Sequence, residues 1–389
     1  MLTLPITSDV GILAVLCGVC AFFFWIERAT RWTLFQYFPP LVFIYLTPVL
    51  LANGGVIPVK APVYDNLSKP LLSMMLTLML LNVDVAGAFK VLGRGVVVMV
   101  MGTVGVVVGA AVGAYAVKAY LGSTAWKAFG ALTGSWVGGT GNMFAVADMF
   151  EATDERSLAV LADTSILLIW LPLLLASKRF AGWFDRFAKV DADRVARMDR
   201  AAEAHREERV PPTYKDFIYL LFISLSVAAV AAWLAEKLPV IPNFATASTW
   251  RILLVTTIGI ALSLTPLRRI PSSRELGMAL IFLFMAQTGA TADLSTLADQ
   301  AVPFLLGALI CIFIHGAFCV IGAKVLHVDI HTAAIASAAN IGGVATATVV
   351  AEHHKPSLTG AAILMALLGY ALGNYAGYFA GVLCRYVMS

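Results

Sequence analysis

The chain has 389 residues, of which 60% are hydrophobic and only 13% are charged. Soluble domains carry about 25% charged residues, and a mean hydropathy of +0.86 is too high for one buried core inside a polar shell. The composition therefore excludes a soluble globular protein and predicts a membrane protein that uses lipid as its solvent. The net charge of +4 is modest and the basic residues form no stripe, so nucleic acid is not an expected partner.

Apolar runs of about 20 residues, the length that crosses roughly 30 Å of hydrocarbon, recur along the whole chain. The first run lacks the basic start and the small-residue cleavage site of a signal peptide, so we read it as a membrane helix. Ten spanning helices are predicted, at 8–26, 37–52, 68–85, 95–120, 157–176, 215–236, 250–266, 274–290, 301–326 and 358–385. The expected fold class is an all-α polytopic protein of the inner membrane.

Two further segments, 124–152 and 328–352, are long enough to span but are interrupted near the middle by glycine. A helix break at membrane depth frees backbone N–H and C=O groups, each of which costs several kcal/mol if left in hydrocarbon. Such a break survives only where protein, water, ions or a solute satisfy these groups. If the segments cross the membrane, the halves of the chain are parallel repeats. If they fold back as re-entrant hairpins, the halves are inverted repeats, and this arrangement is favoured.

The two halves correspond when the chain is shifted by 204 residues, which places Gly138-Gly139 on Gly342-Gly343. Glycine-broken helices at matching places in two repeats are typical of secondary transporters, whose solute site lies where the repeats meet. The domains expected are an N-terminal repeat at 1–176, a charged cytoplasmic linker at 177–214 and a C-terminal repeat at 215–389. Lys and Arg in the linker and at 268–269 favour a cytoplasmic position, but the other short loops give a near tie and do not fix the topology.

The tips of the two interrupted segments form the candidate solute and cation site. Their hydroxyls, amides and freed carbonyls are hard oxygen ligands of the kind that Na⁺ prefers, and the half-helix beginning near Asn142 points its positive dipole end at the first tip. The predicted solute-binding residues are Gly138, Gly139, Thr140, Gly141, Asn142, Asn340, Gly342, Gly343, Thr346 and Thr348. The predicted Na⁺ ligands are Ser135, Thr140, Asn142, Asp163 and Asn340. The alternative is a helix-packing motif of small residues.

Carboxylates inside or beside apolar runs are expensive in lipid and are therefore candidates for ion coupling. The predicted coupling residues are Asp148, Asp163 and Glu352, whereas Asp84 lies nearer the end of a run. Asp163 is the strongest of these, because a buried carboxylate that binds either a proton or Na⁺ is a simple coupling device. The alternative interpretation is a surface-level carboxylate at a helix end.

Other polar residues in apolar segments line a cavity or bridge neighbouring helices. They are Gln287, Thr288, Thr291 and Asn374. His353 and His354 have no third or fourth metal ligand at a suitable spacing, so a polar cluster at headgroup level is the better interpretation. The five cysteines have no metal or disulfide spacing and are interpreted as small apolar side chains. No cofactor is expected apart from a bound Na⁺.

The motifs GSWVGGTGN, from Gly134, and ANIGGVATAT, from Ala339, resemble the paired hairpin motifs of sodium/glutamate and sodium/citrate symporters. Those families belong to the superfamily of cation/proton antiporters and anion transporters, within which the chain is most similar to a bacterial and plastid branch known as a membrane domain of unknown function. The resemblance implies an elevator-type carrier, forming a homodimer and coupled to Na⁺ or H⁺. Thr140 follows Gly139 where the glutamate carriers have histidine, so the resemblance specifies no substrate.

The leading functional hypothesis is a cation-coupled secondary transporter of a small organic anion, amino acid or short peptide, working by alternating access. The alternative is an ion channel with glycine-rich re-entrant loops, but two dissimilar hairpins in one chain favour a carrier. The sequence contains no HExxH, GxSxG or GxGD motif, so an intramembrane enzyme is not expected. It also contains no P-loop, which argues against an ATP-driven pump.

Overall fold

The computed structural model describes residues 5–30, 32, 35, 40–84, 87–88, 90, 93–153, 155–190, 211–241, 245–292 and 299–389. The first half of the chain forms helices α1 Asp9–Thr30, α2 Pro40–Asn53, α3 Pro62–Leu81, α4 Arg94–Val117, α5 Trp126–Met149, α6 Glu155–Ser177 and α7 Ala181–Ala188. The second half forms α8 Tyr214–Ala235, α9 Ala247–Ser263, α10 Ser273–Ala290, α11 Ala301–Leu326, α12 Ile330–Asn340, α13 Gly343–His354 and α14 Thr359–Met388.

The helices include several that are able to cross a membrane. Six stretches are long and apolar enough: Asp9–Thr30, Arg94–Tyr120, Glu155–Ala188, Tyr214–Ala235, Ala301–Leu326 and Pro356–Met388. Helices α2 and α9 are apolar but shorter. The predicted all-helical class is confirmed for the described residues, and so is the presence of several membrane-crossing helices.

The helices pack into two bundles. The scaffold bundle contains α1, α2, α3, α8, α9 and α10, with α3 and α10 packed on each other at its centre. The hairpin bundle contains α4 to α7 and α11 to α14, with α4 packed along α11 and α5 along α14. The bundles meet where α3 and α9 contact α5, so residues of α5 lie on the boundary between them.

Helix α5 is a hairpin rather than a straight helix, and we call it hairpin 1. Gly139 has φ 76° and ψ 177°, far from helical values, and marks its tip. The rings of Trp126 and Phe150 lie 4.9 Å apart between centroids, and Lys127 Nζ donates to the carbonyl oxygen of Glu151 at 3.2 Å. The two ends of the segment therefore meet.

Helices α12 and α13 form the corresponding hairpin 2. The first helix ends at Asn340 and the second begins at Gly343, with a left-handed Gly342 at φ 102° between them. Nδ1 of His331 lies 3.1 Å from Nδ1 of His354, which joins the first turn of α12 to the last turn of α13. Both interrupted segments therefore fold back on themselves instead of running straight through.

Glycines on the first limb of hairpin 1 face glycines on α14. A Cβ atom added to Gly130 would lie 2.9 Å from the Cα of Gly381, and one added to Gly138 would lie 2.9 Å from the Cα of Gly373. The two backbones touch because neither carries a side chain, as in small-residue interfaces of membrane helices. The packing interpretation of the glycine motif thus applies to Gly138, whereas Gly139 makes the turn.

Closing this interface with a larger side chain should prevent hairpin 1 from docking. A Cβ at Gly377 would lie 2.9 Å from the Cα of Gly134. We expect Gly377→Val to destabilise the protein by about 1–3 kcal/mol or more, because overpacking a close backbone contact forces the helices apart. Thermal unfolding of the detergent-solubilised variant measures this loss. Gly360→Val, where an added Cβ meets nothing within 4 Å, is the matched control, and equal midpoints for the two variants would contradict the expectation.

The helix ends define two faces of the molecule. On the linker face, where the linker joins α7 and α8, Arg94 Nη1 donates to the carbonyl of Leu326 at 3.1 Å, and Lys178 Nζ donates to the carbonyl of His353 at 2.5 Å. The base of hairpin 2 lies on this face. The base of hairpin 1 lies on the opposite face, because it follows the end of α4 directly.

The linker is described only in part. The segment 177–214 was expected to be a charged cytoplasmic linker, and 191–210 lies outside the described residues. The described part continues from α6 as a 3₁₀ turn and then as α7, which packs on α11 and α12. Phe184 and Ala188 are buried there, because side chains four residues apart share one face of a helix.

Candidate functional site

The tip of hairpin 1 is fixed to α14 by an asparagine. Nδ2 of Asn142, which begins the second limb, donates to the carbonyl oxygen of Tyr370 at 2.8 Å. Asn142 is buried, whereas Gly139 and Thr140 are half-buried. Thr140 has no hydrogen bond to any described residue, so its hydroxyl and the freed backbone of the tip are available to a ligand.

The tip of hairpin 2 is anchored differently. Nδ2 of Asn340 donates to the carbonyl of Met99 at 2.9 Å, and Thr103 Oγ1 donates to its Oδ1 at 3.3 Å. Asn340 is fully buried and both of its amide atoms are thus used by α4. Thr346 is also buried, but Thr348 is half-exposed and donates to the carbonyl of Ala345 in its own helix. Of the predicted residues on this tip, the glycine pair and Thr346 lie nearest the turn.

One side chain lies against both tips. A Cβ atom added to Gly139 would be 2.9 Å from Cε1 of Tyr370, and one added to Gly343 would be 3.6 Å from the hydroxyl of the same tyrosine. Tyr370 belongs to α14, which packs against both hairpins. The structure therefore brings the two predicted tips together, and sequence reasoning missed the tyrosine that connects them.

Asp163 on α6 faces the first limb of hairpin 1. The polar side-chain atoms of Ser135 and Trp136 are its closest hydrogen-bonding neighbours. Oγ1 of Thr133, on the same limb, is buried and makes no hydrogen bond to a described residue. The carboxylate thus lies beside a limb of polar side chains, one of which keeps a buried hydroxyl available to a ligand.

The other two predicted coupling carboxylates lie elsewhere. Asp148, on the second limb of hairpin 1, accepts from Nη2 of Arg251 on α9 at 2.6 Å, so its charge is paired across the boundary between the bundles. Glu352 is exposed near the base of hairpin 2, where it accepts from Thr359 Oγ1 at 2.7 Å. The structure does not bring the three carboxylates together, and only Asp163 lies near tip residues.

A cavity of about 780 Å³ lies between the two bundles and opens toward the face opposite the linker. The second limb of hairpin 1 lines one wall, from Phe144 to Glu151, and α3 and the end of α10 line the others. Gln287, Thr288 and Thr291 belong to this lining. Asn374 does not; its Nδ2 donates to Thr256 Oγ1 at 2.7 Å, which bridges α14 to α9.

The cavity wall carries charges of both signs. Its cations are Lys60, Lys69 and Arg156, and its carboxylates are Asp65, Asp148 and Glu151. Such a lining admits water and polar solutes and does not favour one sign of charge. The cavity is therefore a polar path from one face toward the boundary where hairpin 1 meets α3 and α10.

Sequence reasoning also missed a buried histidine. His315 on α11 is fully buried, with Nδ1 2.9 Å from the carbonyl of Gly102 and Nε2 2.9 Å from Ser337 Oγ. Because the carbonyl accepts, Nδ1 carries the proton and Nε2 accepts from the serine. Trp170 Nε1 donates to the same serine at 3.0 Å. This chain of bonds joins hairpin 2 to α4, α6 and α11, and the long apolar run around His315 hid it in the sequence.

The histidines of hairpin 2 face a backbone carbonyl and each other. His354 Nε2 lies 2.9 Å from the carbonyl of Leu174, and its other nitrogen faces His331. Among the described residues, no group of three or more His, Cys, Asp or Glu side chains could hold a metal ion.

A family model described as "Protein of unknown function (DUF819)" matches residues 14–387. The chain belongs to the DUF819 family. This DUF819 chain is also 28% identical over 351 residues to the "Uncharacterized membrane protein YjcL" of Bacillus subtilis, covering 86% of each protein. The predicted resemblance to a membrane family of unknown function is confirmed, whereas the wider resemblance to symporters stays a prediction.

Proposed function

We propose that this protein is a cation-coupled secondary transporter of a small organic solute, such as an organic anion, amino acid or short peptide. The observation that carries the proposal is the meeting of two hairpin tips, one from each half, on either side of Tyr370. Backbone groups freed at such tips need a partner at membrane depth, and a transported solute with its coupling ion supplies one. The proposal includes no enzymatic activity and no cofactor.

An inverted repeat explains why the two hairpins approach from opposite faces. Leaving out α7, which lies within the linker, the described residues form five helices and one hairpin in each half, and the shift of 204 residues places Gly139 on Gly343, both at positive φ. The packing repeats as well: α1 contacts α2 and α10, and its counterpart α8 contacts α9 and α3. An odd number of crossings in each half turns the second repeat over relative to the first.

Alternating access then follows from movement of the hairpin bundle against the scaffold bundle. The cavity between the bundles opens on one face, so the conformation described here is open to that side. An elevator-type displacement carries both tips, α6 and α14 past α3 and α9 and opens the other side. In a homodimer, pairing of the two scaffold bundles would keep them stationary in the membrane while each hairpin bundle moves.

The distribution of cations supports a cytoplasmic linker face. Arg28 ends α1, and Arg94 begins α4, and both helix ends lie on the same face as the linker and the basic pair at 268–269. The short loops by themselves stay near a tie, because Lys60, Lys69, Lys118 and Lys127 favour the opposite face. The linker and the basic pair decide the proposal, since positive residues accumulate on the cytoplasmic side of inner-membrane proteins. The cavity in this conformation then faces the outside of the cell.

Asp163 is the proposed coupling group, with Ser135 beside it. A carboxylate between α6 and hairpin 1 binds either H⁺ or Na⁺. Either cation neutralises the carboxylate, which lowers the cost of moving the hairpin bundle through the membrane. Asp148, by contrast, is paired with Arg251 and holds the open conformation, so we assign it a conformational role.

The experiment begins with purified protein and a set of carboxylates, amino acids and short peptides, screened for thermal stabilisation with and without Na⁺. A solute that stabilises the protein is then followed into proteoliposomes, where we expect saturable uptake driven by an imposed Na⁺ or H⁺ gradient. Asn142→Ala and Thr346→Ala should reduce stabilisation by the solute by roughly tenfold in apparent affinity, equivalent to about 1.4 kcal/mol, because both lie at the tips. Thr30→Ala, on the exposed end of α1, is the control.

Two outcomes would contradict the proposal. If both tip variants bind and transport at wild-type rates, the tips are not the site. If the protein instead passes ohmic currents far above carrier turnover, the channel hypothesis replaces the carrier. Loss of Na⁺ dependence in Asp163→Asn, with solute binding kept, separates the coupling assignment from the solute site.

A further inference from the structure

Helix α7 carries an outward surface that the proposed transport function does not use. Phe180, Trp183 and Phe187 are 60%, 61% and 37% exposed, respectively, and lie three and four residues apart on one side of the segment. The rings of Trp183 and Phe187 stack with centroids 5.6 Å apart and planes 4° apart. Three large aromatic side chains therefore form one continuous apolar strip.

Cations flank this strip. Arg179, Arg186 and Lys189 are exposed on α7 and its ends, and Lys324 of α11 places its Nζ 4.1 Å from the centroid of the Phe187 ring. Asp185, the acidic residue of α7, faces hairpin 2, where its Oδ1 accepts from the backbone N–H of Ile330 at 3.2 Å. The outward surface is thus aromatic and cationic, and its charge is not balanced by a neighbouring carboxylate on α7.

The position of α7 places this surface at the edge of the bilayer. Its preceding turn contacts the base of hairpin 2 through Lys178 and His353. Its last residue, Ala188, has its carbonyl 2.7 Å from Nδ1 of His327, just beyond the end of α11. Both ends of α7 therefore lie at the level where other helices leave the membrane. The stretch Glu155–Ala188 has 34 residues, whereas roughly 20 are enough to cross the hydrocarbon. Its last part therefore lies beyond the hydrocarbon core.

We propose that α7 is an interfacial helix that binds the anionic phospholipid surface of the leaflet on the linker face. The aromatic strip enters the headgroup boundary, where Trp and Phe rings are favoured, and Arg179, Arg186 and Lys189 pair with lipid phosphates. Because α7 packs on α11 and α12, this lipid contact belongs to the hairpin bundle rather than to the scaffold bundle.

The charge part of the proposal is tested in nanodiscs of phosphatidylcholine with or without about 30% phosphatidylglycerol. We expect anionic lipid to raise the thermal midpoint of the wild-type protein by a few degrees. Arg179→Gln/Arg186→Gln/Lys189→Gln should lose at least half of this increment. Lys178 is left in place, because it bonds the base of hairpin 2. The matched control removes three exposed cations from the scaffold side of the same face: Arg28→Gln/Lys215→Gln/Arg269→Gln.

The control should keep the full increment. The proposal is overturned if the α7 triple variant also keeps the full increment in thermal midpoint. It is likewise overturned if the control loses as much as the α7 variant, because the lipid effect is then general to positive charge on this face.

The location of α7 is tested independently with a spin label at Gly182→Cys in a Cys17→Ser background. An added side chain at Gly182 meets nothing within 4 Å, and Cys17 is the exposed native cysteine among the described residues. A label at the headgroup boundary is accessible to oxygen and to a water-soluble nickel complex at comparable levels. Accessibility to the nickel complex alone places the helix in water, and protection from both places it under the linker or a second copy; either result overturns the proposal.

Discussion

Gly139→Ala is expected to abolish transport and to lower the stability of the protein by about 1–3 kcal/mol. Gly139 has φ 76° and ψ 177°, a region that only glycine occupies without strain. An added Cβ would also lie 2.9 Å from Cε1 of Tyr370, so alanine pushes on the tyrosine between the tips. Thermal unfolding gives the stability, and uptake into proteoliposomes gives the transport rate.

Gly141→Ala is the matched control for this variant. It lies two residues further along the same tip, its backbone is not left-handed, and an added Cβ would meet nothing closer than 3.6 Å. We expect it to unfold within about 0.5 kcal/mol of wild type, as substitutions without a steric conflict do. If Gly139→Ala is as stable and as active as Gly141→Ala, the turn at Gly139 is not the feature that defines the tip.

Arg251→Ala is expected to destabilise the present conformation by about 3 kcal/mol, the lower end for removing one member of a buried ion pair. The side chains of Arg251 and Asp148 are only 10% and 26% exposed. Asp148 also lines the cavity, and hydration of its carboxylate there reduces the loss of stability when Arg251 is removed. Because the pair joins α9 to hairpin 1, its removal also weakens the attachment of the hairpin bundle to the scaffold bundle. Thermal unfolding measures the stability, and cysteine accessibility in the cavity measures the opening.

A double-mutant cycle with Asp148→Asn isolates the pair. We expect the double variant Asp148→Asn/Arg251→Ala to be more stable than the sum of the single losses predicts, since neither charge is then left alone. Arg268→Ala breaks a pair with Asp84 in which the arginine is 38% exposed, so it should cost less than about 1 kcal/mol. Additive losses in the cycle, or an equal loss in Arg268→Ala, would show that the Asp148 pair does not join the bundles.

The sequence located the helix breaks because glycine pairs are a local signal. Hairpin 1 was predicted at 124–152 and forms at Trp126–Met149, and hairpin 2 was predicted at 328–352 and forms over Ile330–His354. One glycine pair within each segment is enough to predict that the helix is interrupted there. The bounds of α1 and α11 were likewise visible, because each is one uninterrupted apolar run.

The partners of the site residues were not predictable in the same way. Gly138 and Gly139 are the same residue type, and only the backbone angle and the facing Gly373 distinguish the packing glycine from the turning one. Arg251, which pairs with Asp148, is 103 positions away in sequence and belongs to another bundle. No spacing rule connects residues on different helices, so pairings of this kind require the tertiary structure.

The first limbs of the two hairpins are held against their neighbours by different kinds of contact. The first limb of hairpin 2 is pinned by directional bonds through Ser337, which fix both its depth and its rotation. The first limb of hairpin 1 contacts α14 through bare glycine backbone, and its hydrogen bond to α14 comes from Asn142 at the tip. A solute in the cavity would meet hairpin 1 first, because the second limb of that hairpin lines the cavity wall. The two hairpins therefore differ in how their first limbs are held, one by side-chain hydrogen bonds and the other by direct backbone contact.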